Sequence, residues 1–102
     1  MAVWFVSRHP GAIDWMAAQA DWQVDHWVAH LHVDEVQAGD VDCGTLPLGM
    51  AADVCAKGAR FWFLEVPMQA TQRGQELSAA LMTDMGCRLT EFVVQRLPVT
   101  WE

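Results

Sequence analysis

Residues 2–20 read Ala-Val-Trp-Phe-Val-Ser-Arg-His-Pro-Gly-Ala-Ile-Asp-Trp-Met-Ala-Ala-Gln-Ala, and a change of pattern inside this stretch decides the fold. Ala2 to Val6 is an apolar run without polar interruption, which fits a strand buried on both faces, as in a parallel sheet. Ser7-Arg8-His9-Pro10-Gly11 breaks the run. Apolar positions then recur at helical spacing, with Ile13, Met16, Ala17 and Ala20 on one face. Strand, polar turn, helix: the chain opens on a βα unit.

Working outward, Trp27 to His32 alternates and predicts a second strand, with Trp27, Ala29 and Leu31 on one face and Val28, His30 and His32 on the other. Ala38-Gly39-Asp40 reads as a turn before a third strand, Val41 to Leu46, which ends in Gly44-Thr45-Leu46-Pro47. Leu48, Ala51, Ala52 and Cys55 mark a second helix closed by Lys57-Gly58. Arg60 to Val66, rich in aromatic and branched residues, is the clearest strand. After a loop from Pro67 to Arg73, a third helix carries Leu77, Ala80, Leu81 and Met85 and stops at Gly86, and Leu89 to Leu97 closes the chain as a strand. The order β-α-β-β-α-β-α-β predicts a Rossmann-type three-layer α/β sandwich around a mostly parallel five-stranded sheet. With no linker, repeat or low-complexity segment, residues 1–102 form one domain.

Composition narrows the function. The chain is 53% hydrophobic and 19% charged, which excludes a disordered protein. Six Lys plus Arg stand against thirteen Asp plus Glu, a net charge of −7, with a pI near 4.8. A protein gripping long DNA or RNA needs a basic face to release counterions, so no long nucleic acid is expected as partner. Five of the six cations are Arg, which leaves room for a small anion held by a few guanidinium groups. Six Trp and four Phe without a Tyr are a bulky apolar set for this length, and burial between two subunits is one outlet for it. Met1 is followed by Ala-Val-Trp-Phe-Val-Ser-Arg, so no signal peptide and no membrane partner are expected. Cys43, Cys55 and Cys87 lack zinc or disulfide spacing. A cytoplasmic location is the plain expectation.

Ligands of open parallel α/β sheets bind beyond the carboxyl ends of the strands. Three polar clusters fall at such ends: Ser7-Arg8-His9, Gly44-Thr45-Leu46-Pro47, and Arg73-Gly74-Gln75-Glu76 at the start of the third helix. They bring hydroxyls, an imidazole, two guanidinium groups and helix-start amides to one edge, which suits phosphate recognition. Each also has a plainer reading. Ser7 can cap the first helix or its turn, and Arg8 can pair with Asp14. Thr45 can be an N-cap with Pro47 in the first helical turn. Arg73 can pair with Glu76, His30 can be a satisfied sheet histidine, and His26 and His32 solvated strand flanks. Convergence of three turns on one edge favours the functional reading. His30 and His32 could pinch a cation, but no nearby Asp, Glu or Cys completes a ligand set, so neither metal nor cofactor is expected. Neither Gly-x-Gly-x-x-Gly nor a phosphate-binding P-loop occurs.

The strings Trp4-Phe5-Val6-Ser7-Arg8-His9-Pro10-Gly11-Ala12, His30-Leu31, Gly39-Asp40 with Gly44-Thr45-Leu46-Pro47, and Arg73-Gly74-Gln75-Glu76-Leu77 together resemble a small CRISPR-associated family. It comprises accessory proteins of roughly one hundred residues from type III systems, and the similarity runs over nearly the whole chain. Asp42 and Cys43 stand where apolar residues are expected. The resemblance implies a fold related to the CARF domains that sense cyclic oligoadenylate. It also implies a ring nuclease that cuts cyclic tetra-adenylate and switches off the antiviral response. A two-fold homodimer could embrace such a ring, with Ser7, Arg8, Pro10, Gly11, His30, Gly44, Thr45, Leu46, Pro47, Arg73, Gly74 and Glu76 lining the ligand. In a metal-independent attack by the 2′-hydroxyl, Arg8 and Arg73 would meet phosphate charge while Ser7 and Thr45 position it. His9, ahead of His30, would transfer the proton. The alternative is a non-catalytic module that binds or sequesters the same ligand.

Overall fold

A computed structural model describes residues 1–68 and 74–99. Its elements run β1 (Val3–Val6), α1 (Pro10–Ala17), β2 (His26–Val28), a 3-10 turn (Val33–Glu35), β3 (Val41–Gly44), α2 (Leu48–Ala56), β4 (Arg60–Glu65), α3 (Ala79–Met85) and β5 (Arg88–Phe92). The five strands form one mixed sheet in the order β2-β1-β3-β4-β5. β1 runs parallel to β2 and β3, and β3 parallel to β4, while β5 lies antiparallel to β4. Among the described residues no helix is long and apolar enough to cross a membrane.

Strand alternation sorts the core into two layers. Phe5, Val41, Cys43 and Leu64 point to one face and pack with Ala12, Trp15 and Met16 of α1 and Met82 of α3. Trp4 and Val6 point to the other, against Leu31, Val36, Val54 of α2 and Ala59. The chain therefore leaves β1 over one face and β3 over the other. That divergence opens a crevice between the carboxyl ends of two neighbouring strands, where ligands of such sheets bind. Two glycines let the backbone close in around it. A side chain at Gly11 would overlap the Leu77 carbonyl oxygen, and one at Gly44 would overlap that of Val6. Gly44 also has φ +122, a backbone region open in practice to glycine.

Several elements are shorter than their sequence pattern. β2 ends at Val28 rather than His32, because its neighbour in the sheet, β1, gives its last rung when the Ser7 amide donates to the Val28 carbonyl at 3.0 Å. His30 and His32 are therefore not strand residues. β3 stops at Gly44 rather than Leu46, where the positive φ ends the extended chain. β5 covers Arg88–Phe92 instead of Leu89–Leu97, since Phe92 already faces Phe61 near the start of β4. The chain then crosses to α2, where the Val94 amide donates to Cys55 Sγ at 3.5 Å and Arg96 pairs with Asp53. α3 begins only at Ala79, after Ser78, whose hydroxyl accepts from the Leu81 amide at 3.1 Å. Gly74, Gln75 and Glu76 thus precede the helix and bring no helix-start amides, contrary to expectation.

Candidate functional site

Two cavities open side by side at the carboxyl edge of β1 and β3 and share Ser7, His9 and Thr45. The first, about 270 Å³, adds Arg8, Ala29, His30, Leu31, Leu46, Pro47 and Met50. The second, about 340 Å³, adds Gly74, Gln75 and Glu76 at one side and Ala12, Leu64, Val66, Met68, Leu77 and Met82. The fold thus joins Ser7, Arg8, His9, His30, Thr45, Leu46 and Pro47 in one crevice and brings Gly74 and Glu76 against its neighbour. Pro10 starts α1 beside the crevice, and Gly11 and Gly44 serve the close backbone approaches described above rather than lining either cavity. Arg73 lies outside the described residues.

The local geometry departs from simple capping. Ser7 does not cap α1. Its hydroxyl accepts from the His9 amide at 3.1 Å, while His9 itself occupies the N-cap position in extended conformation. Thr45 does not cap α2, whose N-cap is Pro47. Neither helix has a side-chain cap, and both begin at the crevice, where their first amides lack intrahelical acceptors.

Electrostatics single out Arg8. Among the described residues, Arg60 pairs with Glu91, Arg88 with Glu65 and Arg96 with Asp53, and Lys57 Nζ donates to the Val33 carbonyl. Arg8 has neither an ion pair nor a hydrogen bond among them, and the pairing with Asp14 does not form. Its guanidinium, exposed at the crevice, is available to an anion. A second feature escaped the sequence because its members are far apart in the chain. His9 Nδ1 lies 3.3 Å from Glu76 Oε1, with both side chains about two-thirds exposed. A carboxylate on one ring nitrogen orients the imidazole and leaves the other nitrogen to face a ligand. Nothing local relates positions 9 and 76; the apolar signal of Leu77, packed over Gly11, was the available clue.

Below the crevice, Asp42 is fully buried on the α2 face of β3, and neither carboxylate oxygen has a hydrogen-bond partner among the described residues. Burial, reinforced by the negative charge of Asp40, pushes its pKa up to about 6. Burial and Asp42 push the Cys43 thiol up to about 12, which removes it as a nucleophile at neutral pH. Among the described residues no three His, Cys, Asp or Glu side chains gather in a metal-ligating group; His30 and His32 alone would be an incomplete ligand set. The arrangement can bind an anion through a guanidinium, position it with hydroxyls, and exchange a proton through an imidazole.

Residues 4–95 match the model of a family described as "Putative CRISPR-associated protein (Cas_VVA1548)". No curated protein and no solved structure matches the chain.

Proposed function

The chain belongs to this CRISPR-associated family, and from that premise we propose that it is a ring nuclease, which binds a cyclic oligoadenylate at the β1–β3 crevice and cuts it. The observation that carries the reading is the Arg8 guanidinium, left without an ion pair among the described residues beside a hydroxyl pair and an imidazole. An RNA linkage supplies its own nucleophile. The neighbouring 2′-hydroxyl attacks phosphorus in line, the 5′-oxygen leaves, and a 2′,3′-cyclic phosphate remains. The protein must hold that alignment, meet the charge that builds on phosphorus, and protonate the departing oxygen. Arg8 meets the charge, Ser7 and Thr45 position the phosphate, and His9 transfers the proton while Glu76 orients it. His30, exposed across the crevice, contacts ligand.

A ring with one phosphate per nucleotide is symmetric, and a two-fold homodimer would present Arg8 and His9 twice around it. Local positive charge can serve despite the net charge of −7, because distant acidic groups are screened over about 8 Å at physiological salt. Incubation with cyclic tetra-adenylate in the presence of EDTA, followed by chromatography, tests the reading. Linear products ending in 2′,3′-cyclic phosphate are expected. An intact ring that nonetheless binds in equilibrium dialysis would make the protein a sequestering module, and no binding would overturn both.

A further inference from the structure

We propose that the second cavity, between α1, the end of β4 and residues 74–77, is a base pocket that takes an adenine, so that one nucleotide spans both cavities; the inference rests on the ligand class proposed above but not on its cleavage. The two cavities differ in chemistry while sharing Ser7, His9 and Thr45. One holds the guanidinium of Arg8, which has no ion pair among the described residues. The other is walled by Ala12, Leu64, Val66, Leu77 and Met82, and those walls belong to the core layer beneath α1 and α3. An apolar cavity with a few polar groups at its mouth is the usual form of a small-molecule site. A nucleotide has the matching division: a flat, largely apolar base at one end and an anionic phosphate at the other. Its ribose would then pass over the shared residues, which places the 2′-hydroxyl and the scissile phosphate beside His9.

The mouth narrows the choice of base. Glu76, beside the cavity and 3.3 Å from His9 Nδ1, presents a carboxylate, an acceptor for an exocyclic amino group. Adenine offers that amine. Uracil is smaller, fills less of the apolar volume, and turns carbonyl oxygens toward the carboxylate. Burial against apolar walls is non-directional and follows area alone, so discrimination falls to cavity size and to this edge.

Methyl-labelled protein titrated with adenosine 3′-monophosphate, uridine 3′-monophosphate and inorganic phosphate tests the assignment without requiring turnover, the 3′-phosphate being the one that the 2′-hydroxyl of the same ribose would attack. Adenosine monophosphate should shift the methyl signals of Leu64, Leu77 and Met82, whereas phosphate should move only those of Leu46 and Met50 in the other cavity. Val66→Trp, which fills the half-buried rim of the apolar cavity and excludes the base by volume, should weaken adenosine monophosphate roughly 10- to 200-fold and leave phosphate unchanged. Should Val66→Trp misfold, the wild-type shift map decides alone. Shifts confined to Leu46 and Met50, equal shifts from uridine monophosphate, or no binding of adenosine monophosphate would overturn the base pocket. Binding as expected by a protein that leaves cyclic tetra-adenylate intact would overturn the nuclease and keep the pocket.

Discussion

The β4–β5 pair and the β1–β3 crevice treat charge in opposite ways. Across the antiparallel pair, Arg60 grips both carboxylate oxygens of Glu91 at 2.6 and 2.7 Å, and Arg88 reaches Glu65 at 3.4 Å. The contact with Arg60 holds the Glu91 carboxyl below its ordinary value. At the crevice, Arg8 has no carboxylate among the described residues. The aspartates of β3 and the turn before it repeat the contrast. Burial alone would raise the Asp40 pKa, but hydrogen bonds from the Gln37 and Ala2 amides and the Trp4 indole outweigh it and leave it lowered. Two residues nearer the crevice, Asp42 is buried with no donor among the described residues. Among the described residues, the charges across β4 and β5 are matched, whereas Arg8 at the candidate site and Asp42 beneath it are not. Unmatched polar groups in a protein this small are a cost to stability, and function is the ordinary reason such a cost persists.

The largest effect that would sharpen this contrast is expected at His9. His9→Ala should slow single-turnover cleavage of cyclic tetra-adenylate by about 10²–10⁴-fold while leaving binding within a few-fold. Cleavage at the wild-type rate under saturating enzyme would leave alignment and charge as the whole mechanism.

Asp42→Asn should stabilise the protein at neutral pH. The folded pKa of about 6 lies above the ordinary value of 3.8, so between these values the folded state binds more protons. Stability associated with Asp42 is thus complete below about pH 4 and is lost as pH rises through about 6. Two units amount to about 3 kcal/mol, read as the difference between wild type and Asp42→Asn in urea unfolding at pH 8, and narrowing toward zero at pH 4. An equal difference at both pH values would show that Asp42 is not the titrating group.

Arg8→Ala removes a charge-assisted contact worth roughly 1.5–3 kcal/mol, so cyclic tetra-adenylate should bind about 10- to 150-fold more weakly in dialysis, with turnover falling alongside. The smallest effect belongs to the matched region. Arg60→Ala should leave ligand affinity unchanged and lower thermal stability slightly, because exposed pairs contribute little. A loss of affinity equal to that of Arg8→Ala would erase the distinction between the two regions.

Much of this architecture was legible in the chain. The apolar run ending at Val6 and the helical spacing after it correspond to β1 and α1, although the face that α1 buries is Gly11, Ala12, Trp15 and Met16 rather than Ile13, Met16, Ala17 and Ala20, and Arg60–Glu65 is a strand where its composition predicted one. Lengths were less legible, since alternation from Trp27 to His32 says nothing of how far β1 extends to pair with it. The same limit applies to Val93 to Leu97, a segment tied to α2 through the Val94 amide and Arg96 rather than paired with β4, with Val93 and Leu97 exposed. The turns holding Ser7, Arg8, His9 and Thr45 could be placed on one edge from sequence. The apolar cavity beside them could not: Ala12 and Met82 lie outside the stripes expected for the first and third helices, and whether such residues line a cavity or a closed core depends on how residues 74–77 pack over them.

By itself the sequence determined which segments are strands and helices, through periodicities that need only neighbouring residues, and it placed the polar turns at strand ends. Tertiary structure decided the rest: the order β2-β1-β3-β4-β5, the meeting of His9 with Glu76, and the burial of Asp42 and the exposure of Arg8 without hydrogen-bond partners among the described residues. These depend on which distant surfaces bury each other. Burial is non-directional and gains its free energy from area, so the local pattern marks the faces to be covered, and only the packed fold assigns each face its cover.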